Sequence, residues 1–233
     1  MSIFKFKQFE VNQANSAMKI GTDAMIFGAL IDVANKKRGL DIGSGTGVLS
    51  LMVAQKNKSI QIQAIEIESF AYQESKENFE KSIFKHQLEA IHSDIKSFKS
   101  LEKFDLIFTN PPYFENSSKS ISDERNLARH TDMLTLSELA SKLSQLITDD
   151  GDVWVILPLE QMQSFSKKML EMQFLIHQEI LIFGKENQAV RQIFCFSKDI
   201  KKVVKRELIL RNENNQYTEA YKELTKEYHF NKL

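Results

Sequence analysis

The chain has 233 residues, about one and a half times an average domain, and 42% of them are hydrophobic and 27% charged, which fits one elaborated globular domain. That composition excludes collagen-like, disordered and disulfide-framework chains. Lys and Arg number 31 and Asp and Glu 31, so the formal charge is zero.

The single cysteine, Cys195, allows no intramolecular bridge, and the five histidines are too scattered for Cys-His metal spacing, so a reducing compartment and no structural metal are expected. No stretch reaches the ~20 apolar residues of a membrane span. The start, Met1-Ser2-Ile3-Phe4-Lys5-Phe6-Lys7, alternates Phe with Lys where a signal peptide has an unbroken apolar run. A cytoplasmic protein without a membrane partner is expected, and no obligate protein partner is evident. Charge is unevenly spread: residues 1–40 carry six basic and three acidic groups and 198–233 carry nine and six, while the middle is acidic. If the termini meet, as they often do, they form a local basic surface, a pointer to nucleic acid.

In chain order, residues 3–11 are strand-like and 22–34 helical, with Thr22 or Asp23 as N-cap. Residues 38–42 form a short buried strand, 48–54 a helix apolar nearly all round, 60–66 an alternating strand and 69–81 a polar helix. Strands follow at 88–92 and 104–109, the latter stopping where Pro111 and Pro112 forbid both ladder donation and helical entry. A helix over 134–147 with Gly151 as its stop, a strand over 153–157, a helix over 160–172 and a hairpin of 174–183 with 190–196 complete the core. Residues 207–211 are strand-like again, and 217–229 helical. Strands alternating with helices predict an α/β fold: a doubly wound, mostly parallel Rossmann-like sheet with an antiparallel last strand. Residues 1–233 form a single domain, with a core over 36–197 and extensions over 1–35 and 198–233.

Two loops hold the punctuation. Asp41-Ile42-Gly43-Ser44-Gly45-Thr46-Gly47 joins a strand to a helix, and its glycines let the backbone turn with positive φ and let a ligand approach without meeting a Cβ. The last two glycines are two apart, whereas the dinucleotide fingerprint needs three, and no Lys follows, which disfavours a nicotinamide dehydrogenase and excludes a phosphate loop. The pattern resembles motif I of the Rossmann-like methyltransferases that use S-adenosyl-L-methionine. The resemblance implies that Gly43, Gly45 and Gly47 line the cofactor, that Asp41 helps position its amino-acid end, that Glu66 accepts both ribose hydroxyls and that Asp94 takes the adenine amine. These three acidic residues lie at the carboxyl ends of successive strands, where ligands bind in open α/β sheets.

Asn110-Pro111-Pro112-Tyr113 follows the fourth core strand. A planar amine is a poor nucleophile because its lone pair is delocalised. Acceptors on Asn110 and Pro111 can bond its two hydrogens and localise the pair, the prolines fix these acceptors, and Tyr113 can stack on the ring. The motif resembles motif IV of the amino-methyltransferases, which act on adenine, on guanine in ribosomal RNA, or on a glutamine amide of release factors.

Lys7-Gln8-Phe9, Met18 to Asp23, Leu40 to Gly47, Glu66-Ile67-Glu68, Phe104 to Tyr113, Ala128-Arg129-His130 and Tyr217 to Tyr221 together resemble, in order, the bacterial tRNA (adenine-N6)-methyltransferases that modify the adenine beside the anticodon of a valine tRNA. The resemblance implies that activity with tRNA as partner. If the 22–34 helix packs on the carboxyl edge of the sheet, its N-terminus with Thr22 lies near the cofactor and Lys19 can reach the methionyl carboxylate; capping alone is the alternative. Ribosomal RNA N2-guanine and protein N5-glutamine methyltransferases remain alternatives, as does a non-catalytic RNA-binding protein on the same scaffold. The candidate RNA contacts are Lys5 and Lys7, beside aromatic residues that suit base stacking, although such alternation more often marks a strand with one buried face; Arg125 and Arg129 at the substrate entrance, where Arg129 is a better candidate than His130; and Lys202, Lys205 and Arg206, along a phosphate backbone or equally on a solvated strand. Cys195 and Trp154 are assigned to the core.

Overall fold

The computed structural model describes residues 2–14, 19–111 and 134–230. An N-terminal hairpin, β1 (Ile3–Lys5) and β2 (Glu10–Asn12), precedes α1 (Thr22–Leu30). The core follows as β3 (Arg38–Ile42), α2 (Val48–Lys56), β4 (Gln61–Glu66), α3 (Ser69–Lys81), β5 (Leu88–His92), β6 (Phe104–Thr109), α4 (Leu136–Leu146), β7 (Ile147–Leu157), α5 (Leu159–Glu171), β8 (Leu175–Phe183) and β9 (Ala189–Ser197), and the chain closes with β10 (Val204–Ile209) and α6 (Glu219–Thr225).

Eight strands form one sheet in the order β10-β8-β9-β7-β6-β3-β4-β5. Every neighbouring pair is parallel except the two involving β9. The antiparallel strand is thus the last of the core in sequence but not in space: β9 inserts between β7 and β8, and β10 from the C-terminal extension continues the sheet beside β8. Both faces are covered. Leu106, Phe108, Trp154 and Ile156 lie in a cluster with α1, α2, the N-terminal hairpin and α6, whereas Leu40, Ile107, Val153 and Val155 lie with α4 and α5. Alternate residues of one strand enter opposite cores, which is why these strands read as continuous apolar runs.

Local chemistry sets several boundaries. The Glu68 carboxylate caps α3 by accepting from the Phe70 and Ala71 N–H groups, and Thr135 and Glu138 form a reciprocal capping box on α4. Two expectations are corrected. The N-cap of α1 is Gly21, without a side-chain bond; Thr22 is the first helical residue and Asp23 instead accepts from Arg191 Nε at 2.8 Å. Gly151 does not stop a helix: α4 ends at Leu146 and the chain enters β7 directly, with a bulge between the pairs Phe104–Ile147 and Leu106–Asp152. A Cβ at Gly151 would lie 2.6 Å from the Ile147 side chain, so the bulge closes only around a residue without one.

The termini meet: Phe6 bridges His229 and the Lys7 N–H donates to the Tyr228 carbonyl at 3.0 Å. The N-terminal phenylalanines resolve as core, with Phe6 and Phe9 buried and stacked at a centroid distance of 4.3 Å.

Candidate active site

The parallel strands direct their carboxyl ends to one edge, and both sequence loops leave from it. Ile42 and Thr109 are register partners on adjacent strands, and the Thr109 Oγ1–H donates to the Ile42 carbonyl at 2.8 Å. Gly43 and Asn110 are the next residues, so the two loops start side by side, about one strand spacing of ~5 Å apart. Asn110 is half-buried and Pro111 buried. Pro112, Tyr113, Arg125, Arg129 and His130 lie outside the described residues.

Gly43, Gly45 and Gly47 have φ of +71°, +54° and +79°, the left-handed region that favours glycine. The loop is pinned from below, with the Gly43 and Ser44 N–H groups donating to the Ile65 carbonyl at 2.9 and 3.0 Å. A Cβ at Gly43 or Gly45 would meet nothing within 4 Å, whereas one at Gly47 would lie 2.4 Å from the Phe79 ring. The first two glycines face open space and the third seats the loop on α3. Asn78 of α3 holds this seat by donating to the carbonyls of Thr46 and Asn12, each at 2.9 Å.

Glu66 ends β4 and is buried. Its Oε2 accepts from the Gly45 N–H at 2.8 Å and its Oε1 from the Glu68 N–H at 2.9 Å. The carboxylate is therefore fixed against the glycine loop, and each oxygen keeps a further lone pair for a ligand. Asp41, one strand inward, is fully buried. Its Oδ2 accepts from Ser50 Oγ at 2.7 Å, while its Oδ1 is buried without a partner. Burial, with the nearby Glu66 charge adding to it, pushes the Asp41 carboxyl up to about 7. Asp94, after β5, is half-buried and accepts from the Lys96 N–H at 2.8 Å. Ile67 and Phe70, 60% and 68% exposed, place apolar surface beside Glu66. Their apolar character alone does not mark them in the sequence; their adjacency to Glu66 does.

Lys19 Nζ donates to the carbonyls of Gln13 and Ala14, so its ammonium ties down the segment after β2. Thr22 opens α1, half-buried. Among the RNA candidates, Lys5 pairs with Glu10 at 3.3 Å and Lys205 with Glu179 at 2.8 Å, both lysines well exposed; Lys7, Lys202 and Arg206 are exposed.

One constellation escaped sequence reasoning. Asp152, His177 and Cys195 converge near the opposite edge of the sheet, with His177 Nε2 at 3.1 Å from Asp152 Oδ1 and 3.0 Å from Cys195 Sγ. Lys36 and Lys201 also reach Asp152, each at 2.7 Å. Burial alone would raise the Asp152 carboxyl, but the hydrogen bonds from His177, Lys201 and Lys36 hold it well below the usual range. Two ammonium groups on one carboxylate repel a further cation, so this is an ion-paired hub joining four segments distant in sequence. Cys195 is held as a neutral thiol, its ionisation opposed first by burial and then by the Asp152 charge.

The chain matches the methyltransferase small domain over residues 14–174. It is 38% identical over 234 aligned residues to the tRNA1(Val) (adenine(37)-N6)-methyltransferase of Haemophilus influenzae, covering 98% of this chain and 99% of that protein. The enzyme of the same name from Actinobacillus pleuropneumoniae is 36% identical over 230 residues, covering 98% and 97%. Among solved structures, a protein of Agrobacterium tumefaciens described as a predicted O-methyltransferase superposes with a TM-score of 0.67 at 16% identity, over 88% of this chain and 95% of that one; this likeness shows the fold.

Proposed function

Because the chain belongs to the methyltransferase small domain family and, within it, to the tRNA1(Val) (adenine(37)-N6)-methyltransferases, we propose that it methylates the N6 amine of the adenine beside the anticodon of a valine tRNA. The observation that carries this reading is the Ile42–Thr109 pairing, which starts the cofactor loop and the acceptor loop on neighbouring strands.

The residues present fit S-adenosyl-L-methionine. Gly43 and Gly45 border space that a Cβ would narrow, Glu66 presents a fixed carboxylate for a ribose diol, and Asp41 Oδ1, buried near the end of β3 just before that loop, lacks a partner. Asp94 is the acceptor assigned to the adenine amine, with Ile67 and Phe70 as apolar surface for the ring. Lys19 and Thr22 are assigned to the methionyl side. When bound, the cofactor supplies an electrophilic methyl group on a sulfonium.

The chain's own work is to bind, orient and polarise. Asn110 Oδ1 and the Pro111 carbonyl accept the two hydrogens of the target amine, which localises the nitrogen lone pair towards the methyl group. By the resemblance of the motif, Pro112 is assigned to stiffen that turn and Tyr113 to stack on the turned-out base. No side-chain base is needed, since the methylated ammonium is acidic and loses its proton to water.

The full-length similarity to tRNA adenine enzymes favours tRNA over ribosomal RNA or a release factor as acceptor. Among the described residues no helix is long and apolar enough to cross a membrane, in keeping with a cytoplasmic tRNA-modifying enzyme. The test is incubation of the protein with methyl-labelled cofactor and, separately, total tRNA, ribosomal RNA and release factor. Label in tRNA as N6-methyladenosine supports the reading; label confined to either other acceptor refutes it.

A further inference from the structure

The Tyr217-Thr218-Glu219-Ala220-Tyr221 segment has no part in cofactor or amine chemistry, yet it builds an ordered device on the catalytic edge. Thr218 caps α6 by accepting from the Tyr221 N–H at 3.2 Å, and its own hydroxyl donates to the Ile209 carbonyl at 2.6 Å. Tyr221 is buried and stacks on Tyr217 at 4.2 Å with 14° between the rings. On Tyr217 in turn lies the Arg211 guanidinium, 4.0 Å from the ring centroid. Its Nη1 donates to the Asn215 carbonyl at 2.7 Å, and the Arg211 N–H is bonded to the Gly184 carbonyl at 3.1 Å.

This arginine is immobilised by a backbone bond and a stacked ring, which sacrifices much of its ~2 kcal/mol of rotamer entropy. Its contacts are a ring face and a neutral carbonyl, and no carboxylate lies within ion-pair range among the described residues. By contrast, Arg38 pairs with Glu102 and Arg191 with Asp23. A planar fork held this way keeps N–H edges for two oxygens of a phosphate. Its place fits as well. β10 and β8 are parallel to β6 and end at the same edge, so Arg211 follows β10 on the side where Asn110 follows β6. The order β10-β8-β9-β7-β6 separates them by four strand spacings, roughly 19 Å. Lys185 lies exposed in the β8–β9 turn beside it, although Glu186 and Glu213 on the same two turns keep the wider surface from being uniformly basic.

Resting on the tRNA reading above, we propose that Arg211, stacked on Tyr217, is a preset clamp for a backbone phosphate of the tRNA a few nucleotides from the target adenine. Lysine keeps the charge there but loses the plane, and glutamine keeps length and one amide donor without charge.

The experiment measures binding of fluorescent valine tRNA transcript to wild type, Arg211→Lys and Arg211→Gln across a salt series, with cofactor affinity and methylation kinetics on the same preparations. The expected result is a five- to tenfold weaker tRNA Kd and KM for Arg211→Gln and a smaller loss for Arg211→Lys, with kcat and cofactor affinity within twofold of wild type. The slope of log Kd against log salt should fall by about 0.7 to 0.9 in Arg211→Gln, the contribution of one phosphate. Unchanged Kd and slope in both variants would overturn the clamp. Loss of cofactor affinity together with tRNA affinity would overturn it too, by showing a merely structural role. Failure of the tRNA reading is a separate outcome, visible as wild-type protein that methylates no tRNA.

Discussion

The Thr109 hydroxyl donates to the Ile42 carbonyl at 2.8 Å in the buried seam between β6 and β3. This bond joins the last residues before the two functional loops, so it fixes the spacing of Gly43 and Asn110. Thr109→Val keeps the shape and leaves the carbonyl without its hydroxyl partner, at a cost on the order of 1–3 kcal/mol. We expect a lower denaturation midpoint and a reduced kcat with cofactor affinity nearly unchanged, read by chemical denaturation and single-turnover methylation. A variant with full kcat would mean that the bond plays no part in loop spacing.

Glu66 is held by two backbone N–H groups and is assigned to the ribose diol. Glu66→Ala should weaken S-adenosylmethionine and S-adenosylhomocysteine in the same ratio, about 100-fold or more, since both carry the ribose and charged hydrogen bonds are worth roughly 1.5–3 kcal/mol each. Calorimetric titration with the two ligands decides. A loss confined to S-adenosylmethionine would point to the sulfonium charge and away from the ribose.

The glycines should separate into two kinds. Gly47→Ala places a Cβ 2.4 Å from the buried Phe79 ring at a φ of +79°, so it should lower stability by about 2 kcal/mol or more. Gly43→Ala meets open space at a φ of +71°, so it should lower stability by only about 1–2 kcal/mol and chiefly weaken cofactor binding. Urea melts with and without cofactor would show this, and equal stability losses would contradict it.

Asp41 makes stability depend on pH. Its folded carboxyl titrates at about 7 against 3.8 for an unperturbed group, so between these values the folded state binds more protons than the unfolded one. Stability therefore falls as pH rises from about 4 to 7, by up to ~4 kcal/mol at ~1.4 kcal/mol per pH unit. Asp41→Asn removes that group, and the ligand-free variant should gain on wild type progressively over this window. Parallel pH profiles of urea midpoints for the two proteins would be the contrary result.

Most of the fold was legible because its signals are local. The α3 limits, Ser69–Lys81, follow from a polar helix between two strands, and the Gly43 to Gly47 and Asn110-Pro111 loops stand out in a chain with eight glycines and three prolines. What required the structure is non-local. Nothing in residues 189–197 announces that β9 slots between β7 and β8, because order in a sheet depends on partners and not on pattern. The Asp152 hub draws on Lys36, His177, Cys195 and Lys201, which no spacing rule connects. Nor does any spacing rule connect Gly47 with the Phe79 ring that packs against it. Thr22 and Asp23 suit a cap by residue type, yet Asp23 bonds Arg191, 168 residues away.

The proposed chemistry requires Asn110 to hold a planar amine in line with a methyl donor. The direct measurement is Asn110→Ala assayed with labelled cofactor and valine tRNA, alongside cofactor titration of the same protein. The prediction is cofactor affinity within twofold of wild type and methyl transfer to adenine N6 reduced at least 100-fold, matching the ~10²–10³ typical of a lost transition-state hydrogen bond. Transfer at the wild-type rate would contradict the assignment of Asn110 and, with it, the proposed chemistry of the site.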